Sequence, residues 1–247
     1  MVYEIQARAG QIVGHDHMAR RVNCQDGYAL LQTDDYVIGV VCDGCGEGKH
    51  SEIGAKLAAQ YLAGQILTLL EENVPLAEMP ALLHTRLVAY LDELVEVSKP
   101  LQPLQFIKEN LLFTTLGVVC NKEDSLLFAA GDGTILIDET LHRINQNNQP
   151  AYIAYNLIQP ELLGDFVMPE GFEVYPCEAN WQRLAIASDG FDEDLFKNIW
   201  GQKNMRGLQR KLNVWSDRER RFRDDATLIT VERLAVSQVE KVNDDAR

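Results

Sequence analysis

Three times along the chain an apolar run ends and an Asp-Gly pair follows within two residues. It happens at Val40-Val41-Cys42-Asp43-Gly44, at Phe128-Ala129-Ala130-Gly131-Asp132-Gly133 and at Ala185-Ile186-Ala187-Ser188-Asp189-Gly190. A fourth version reverses the order, with Asp224-Asp225 just ahead of Ala226-Thr227-Leu228-Ile229. Asp is poor in strand interiors and common in turns, so any single Asp-Gly is an ordinary strand end. Four of them constrain the fold more tightly, because carboxylates at strand ends can converge on one edge of a sheet. Clustered carboxylates repel and raise one another's pKa unless cations neutralise them. Hard oxygen donors select Mg or Mn rather than zinc. The glycine beside each Asp lets the backbone approach closely and offers its carbonyl as a further ligand. A shared metal site is the economical reading.

The rest of the pattern frames these strand ends. A continuous apolar run over 36–42 predicts a buried strand, followed by a glycine-rich loop from Gly44 to Gly48. Ser51 caps an expected helix to about Glu71, and helical spacing of Leu83, Leu87, Tyr90, Leu91 and Leu94 predicts a second over 81–97. Residues 98–105, with Pro100 and Pro103, read as the one candidate linker. Short strands are expected at 113–120, 125–130, 134–138, 173–175, 183–187 and 227–231, and short helices at 194–200 and 205–215. Strands before and after two long helices indicate one α+β domain over 1–236, with a polar tail over 237–247.

Composition closes off other classes. The chain has 247 residues, 37 acidic against 23 basic side chains, and a net charge of −14. That balance argues against nucleic-acid binding, which rests on basic patches. No apolar stretch is long enough to span a bilayer, and the start Met1-Val2-Tyr3-Glu4-Ile5 lacks signal-peptide character. Five cysteines, an odd and sparse set, predict reduced thiols and a cytoplasmic protein. Cys42-x-x-Cys45 lacks the second ligand pair that a zinc site needs. Gly48-Lys49 fails as a P-loop, since Asp43 stands at the first glycine position and His50 replaces the Ser or Thr. His15-Asp16-His17 reads as a pair without enough further ligands: on a strand the two His would share one face. Arg218 to Arg223 is the only basic run, either a solvated loop or an electropositive rim beside Asp224.

Taken in order, the motifs resemble the metal-dependent protein serine/threonine phosphatases, the type 2C or PPM group, in a bacterial-like single-domain form. They are Arg21-Val22-Asn23-Cys24-Gln25-Asp26, Asp43-Gly44-Cys45-Gly46, Gly131-Asp132-Gly133, Ser188-Asp189-Gly190 and Asp224-Asp225-Ala226-Thr227, spread over about residues 10 to 233. The resemblance implies a four-layer α-β-β-α sandwich of two antiparallel sheets, with the metal site at one edge. It implies two divalent cations, Mn or Mg, held by Asp43, the Gly44 carbonyl, Asp189 and Asp224, with Asp132 at a third, looser site. It assigns the grip on substrate phosphate to Arg21, whose planar guanidinium suits two phosphate oxygens. Asp26 steadies the site from behind the ligands, as do Gln25 and Asp225. Gln25 stands where animal members carry a metal-associated Glu, and an amide supplies no charge. The general-acid His of animal enzymes has no clear match, and His17 is a candidate by proximity to Arg20-Arg21.

The expected activity is hydrolysis of phosphoserine and phosphothreonine on proteins by a metal-activated hydroxide. Asp43 and Asp189 would be catalytic through the metals, together with Arg21. The expected partner is a phosphorylated protein, with no nucleic acid and no membrane, and a monomeric state. The alternatives are a weak or silent binding module of the same fold, or a phosphatase of small phosphomonoesters.

Overall fold

The structure, a computed structural model, describes residues 3–146 and 149–235. Its elements begin β1 (Tyr3–Ile12), α1 (His15–Arg20), β2 (Gly27–Gln32), β3 (Val37–Cys42), α2 (Ser51–Glu71), α3 (Met79–Ser98) and α4 (Pro103–Asn110). They continue β4 (Thr115–Cys120), β5 (Ser125–Ala130), β6 (Gly133–Ile137), β7 (Thr140–Ile144), α5 (Pro160–Leu163) and β8 (Glu173–Tyr175). Last come β9 (Arg183–Ala187), α6 (Met205–Glu219) and β10 (Ala226–Ala235). The strands form two five-stranded sheets, β1-β10-β9-β6-β7 and β2-β3-β4-β5-β8. Every pairing between named strands is antiparallel.

The continuous apolar run of β3 follows from burial on both faces. Val37 and Val41 point between the sheets, where they meet Val118, Leu127, Ile135, Ile186, Ile229 and Val231. Their alternates Ile38, Val40 and Cys42 point outward into a second core with Leu62, Ile66 and Leu69 of α2 and Leu83, Leu87 and Leu91 of α3. A third core lies beyond the other sheet, where Leu208, Leu212 and Trp215 of α6 pack on Ala185, Ala187, Ala226 and Leu228. Helices, sheet, sheet, helix: this is the four-layer α-β-β-α sandwich. Each fully buried Val, Leu or Ile contributes about 1.5–3 kcal/mol, and three such cores allow one rim to hold mutually repelling carboxylates.

The topology puts the motif loops on that rim. β3 and β5 flank β4 and run the same way, so Asp43 and Asp132 leave their sheet at one edge. In the other sheet Leu228 pairs with Ala187 and Thr134 pairs with Ala187, so the end of β9 and the starts of β10 and β6 meet there too. Facing of the two sheets brings both edges together.

Several elements differ from the sequence reading. β1 and β2 lie ahead of the first strand that the apolar run indicated, because their alternation is broken by Arg8, Gly10 and Gln11 in β1 and is short in β2. β1 is fixed by its ten-residue pairing with β10, a contact between the two ends of the chain. The candidate linker 98–105 instead leads into α4, with Pro103 at its first position, where a missing N–H costs nothing. β7, a largely exposed edge strand, was also not expected. The polar tail 237–247 lies outside the described residues.

Candidate active site

A cleft of about 760 Å³ opens at the rim. Asp43, Gly44, Asp132, Asp189 and Asp224 all line it, along with Gln25 and Asp225. The loop after β3 is pinned on both sides of Gly44: Thr114 N–H donates to the Asp43 carbonyl at 2.8 Å, and Cys45 N–H to the Leu112 carbonyl at 2.9 Å. The loop after β9 lies directly on the start of β10. A Cβ at Gly190 would sit 1.9 Å from the Asp225 carbonyl oxygen, so that contact is open only to glycine. Asp132, buried to 8 % exposure, accepts from Gln146 N–H at 2.6 Å.

Asp26 lies behind the cleft, fully buried. Ser188 Oγ donates to its Oδ2 at 2.8 Å and accepts from Thr227 N–H at 2.9 Å, which ties the β9 and β10 ends to the Asp26 segment. Burial pushes the Asp26 carboxyl up to about 7, against hydrogen bonds from Thr227 and Ser188 and with the Asp225 charge adding to the rise. Asp43 is raised well above the carboxylate range, first by burial, then by the charges of Asp26 and Asp189, a hydrogen bond to Asp189, and Asp224. Burial and the Asp189 charge also raise Asp132, with the Gln146 hydrogen bond opposing. Without a cation, these groups relieve their mutual repulsion by holding protons.

The donor set fits divalent cations. It is built from carboxylate and carbonyl oxygens, which suit Mg or Mn. Asp26 Oδ1 and Gln25 Oε1 are buried without a hydrogen-bond partner, so unspent acceptors stand in and directly behind the cleft wall. Asp43 packs against the like charges of Asp26 and Asp189, a repulsion that a cation converts to attraction.

Other expected residues lie elsewhere. Arg21 is solvent-exposed, caps α1 with a left-handed φ of 59°, and is not among the cleft-lining residues. The cations that do line the cleft are Lys49 and Lys108. Lys49 belongs to the loop that failed as a P-loop, and only the three-dimensional path shows that it faces the cleft. None of the basic run is among the cleft-lining residues: Arg221 pairs with Asp192, and the exposed Arg223 reaches Asp16 at 3.5 Å. His15 and His17 sit on α1 rather than on a strand, so they face different ways. The His15 ring contacts the Ser216 carbonyl at 3.1 Å, whereas His17 is buried in the cleft wall against Asp225. All five cysteines are free. Cys42 is buried in the core with its thiol pushed up to about 12 by burial, which makes it a packing residue rather than half of a redox pair.

Asp225 was expected behind the ligands, but its contacts, and the wall formed by 152–166, were not legible in the sequence. Asp225 is a hub: its Oδ1 accepts from Gly14 N–H at 2.8 Å, its Oδ2 accepts from Gln25 N–H at 2.6 Å, and the same Oδ2 meets His17 Nδ1 at 2.8 Å. Tyr152, Tyr155, Ile158, Leu162, Leu163 and Phe166 give the cleft an apolar wall. That segment carries no periodic signal, because it is a short 3-10 turn followed by one helical turn.

Comparison with known proteins agrees with this architecture. Among solved structures, the serine/threonine phosphatase Stp1 from Staphylococcus aureus superposes with a TM-score of 0.58 at 13% identity, covering 93% of this chain and 95% of that one. The catalytic domain of the phosphatase PstP, in complex with two manganese ions, gives 0.56 at 16% identity, with 95% and 100% covered. RsbX in complex with magnesium gives 0.57 at 14% identity, with 94% and 99% covered. No curated protein sequence matches the chain. At these identities the likeness is one of fold. The family model described as protein phosphatase 2C matches residues 13–223. That span runs from the turn before α1 to the threshold of Asp224 and takes in four of the five motif segments whole, and so the chain belongs to the protein phosphatase 2C family.

Proposed function

We propose that this protein hydrolyses phosphoserine and phosphothreonine on protein substrates, using two divalent cations, Mn or Mg, with Asp132 at a third and looser position. The observation that carries this reading is the convergence of Asp43, Asp189 and Asp224 in one cleft, with Asp43 pressed against like charges. The Asp43, Asp189 and Asp224 carboxylates and the Gly44 carbonyl would hold the metals. When bound, the metals supply a water of lowered pKa and positive charge for the phosphoryl oxygens.

The chain's own groups do the remainder. Asp26 and Asp225 fix the ligand loops from behind, through Ser188 and through the Gly14 and Gln25 amides. Lys49 and Lys108 add positive charge at the mouth of an otherwise acidic cleft, which steers a phosphate dianion inward. Arg21 takes its place in the proposal by position: it ends the helix whose His17 lines the cleft, and its long side chain is free of the core. The apolar wall of Tyr155, Leu162 and Phe166 suits side chains flanking a phosphoresidue in a peptide, more than it suits a small phosphomonoester. One catalytic domain over 1–236 accounts for the pairing of β1 with β10, and no described helix is long and apolar enough to cross a membrane. We place the protein in the cytoplasm as a monomer.

The test is hydrolysis of a phosphothreonine peptide and of p-nitrophenyl phosphate with Mn, with Mg and with EDTA. Turnover that needs Mn or Mg, disappears with EDTA and favours the peptide supports the reading. Folded protein that binds cations and phosphopeptide without turnover would instead be a binding module.

A further inference from the structure

His17 has two ring nitrogens in unlike surroundings. Nδ1 lies 2.8 Å from Asp225 Oδ2. That carboxylate also accepts backbone N–H bonds from Gly14 and Gln25, so it is committed as an acceptor and Nδ1 carries the proton. Nε2 is thereby left with its lone pair. It lies 3.7 Å from Asp224 Oδ1, too far for a hydrogen bond, in a residue that is 3 % exposed yet lines the cleft. A buried imidazole whose one nitrogen is oriented by a carboxylate and whose other is unpartnered is the arrangement that metal-ligating histidines adopt.

The separation of the two donors suits one ion. With bonds of about 2.0–2.2 Å, two tetrahedral ligands of one cation stand roughly 3.4 Å apart, so the 3.7 Å between His17 Nε2 and Asp224 Oδ1 needs only a small closing movement. Gln25, which lines the same cleft and donates its backbone N–H to Asp225, has a buried Oε1 with no partner, while its Nε2 donates to the Gly48 carbonyl at 3.1 Å. Asp224 is 68% exposed at its side chain, and its Oδ1, which accepts from Asp225 N–H at 2.8 Å, keeps a second lone pair for an incoming ion.

We propose that His17 Nε2 and Asp224 Oδ1, with water filling the remaining positions of an open site, together hold a divalent cation at the rim of the cleft, and that the imidazole makes this position prefer zinc- or iron-class ions to magnesium. Imidazole nitrogen suits Zn and Fe, whereas magnesium keeps to oxygen and water. The inference rests on the proposed metal-dependent reading of the cleft, to which it adds a nitrogen donor that the Asp43–Asp189 group lacks. Asp225 is then a positioning residue, acting through the ring of His17.

The experiment is long-range nitrogen–proton NMR of untagged protein labelled with ¹⁵N-histidine, titrated with Zn and, separately, with Mg. Zn is expected to shift the Nε2 resonance of one histidine while that ring keeps its Nδ1 proton, and Mg is expected to leave it in place. The shifted signal should be missing in His17→Gln, and zinc dissociation constants should rise about tenfold or more. Should His17→Gln not fold, the wild-type contrast between Zn and Mg at the Nε2 resonance decides by itself, because it needs no variant. Zinc binding with no Nε2 shift, or an equal shift with Mg, overturns the inference and leaves the phosphatase reading standing. Failure of Zn, Mg and Mn alike to bind in equilibrium dialysis overturns both.

Discussion

Asp224 and Asp225 are adjacent in sequence and opposite in role: Asp225 turns inward to accept from Gly14 and Gln25 amides and to hold His17, while Asp224 turns out into the cleft. Asp225 is 3% exposed at its side chain and Asp224 68%. Neighbouring residues at a strand's entry point to opposite sides, and here one side is the packed wall of the cleft and the other its open space.

This division gives a paired prediction. Asp225→Ala strands three buried donors and is expected to destabilise the fold by about 2–4 kcal/mol. Asp224→Ala is expected to change stability by less than about 0.5 kcal/mol while weakening Mn binding. Urea denaturation and calorimetric Mn titration of the two variants separate these effects.

The raised carboxyls make the metal-free fold sensitive to pH. Asp26 is pushed up to about 7, and Asp43 moves in the same direction. The folded state therefore holds more protons than the unfolded chain between about pH 4 and about pH 7, and stability falls as pH rises through that window. Cations that neutralise the group reverse the penalty. Melting temperature without metal should decline from about pH 5 to about pH 7.5, and the gain from saturating Mn should be larger at the higher pH.

Gly190 marks where two motif loops touch. A methyl group there would meet the Asp225 carbonyl oxygen at 1.9 Å, and the obstacle is backbone, which cannot swing aside. Gly190→Ala is expected to cost about 1–3 kcal/mol and to lower turnover by more than tenfold through displacement of Asp189. Thermal melts and phosphopeptide kinetics on the same preparation check both parts.

Much of this was legible in the chain itself. The double-sided burial of β3 is written in its unbroken apolar run, and the strand-end Asp-Gly pairs mark the residues that the cleft collects. What could not be read depends on contacts between distant segments. β1 has little pattern of its own and exists through its register with β10, more than 200 residues away. The His17–Asp225 pair spans 208 positions, and nothing in His15-Asp16-His17 says which ring turns inward. The path of Lys49 and Lys108 into the cleft, and the exclusion of Arg21 from its lining, follow from loop geometry that no spacing rule encodes.

The central claim is that the Asp43–Asp189–Asp224 group acts by holding cations for phosphate hydrolysis. Its most direct test is Mn-dependent hydrolysis of a phosphothreonine peptide by wild type and Asp189→Asn. Asp189 is exposed, so the variant should fold and melt like the wild type. The account predicts wild-type turnover that EDTA abolishes, and at least a hundredfold loss in the variant. Equal turnover by the two proteins, or wild-type turnover that persists in EDTA, would contradict it.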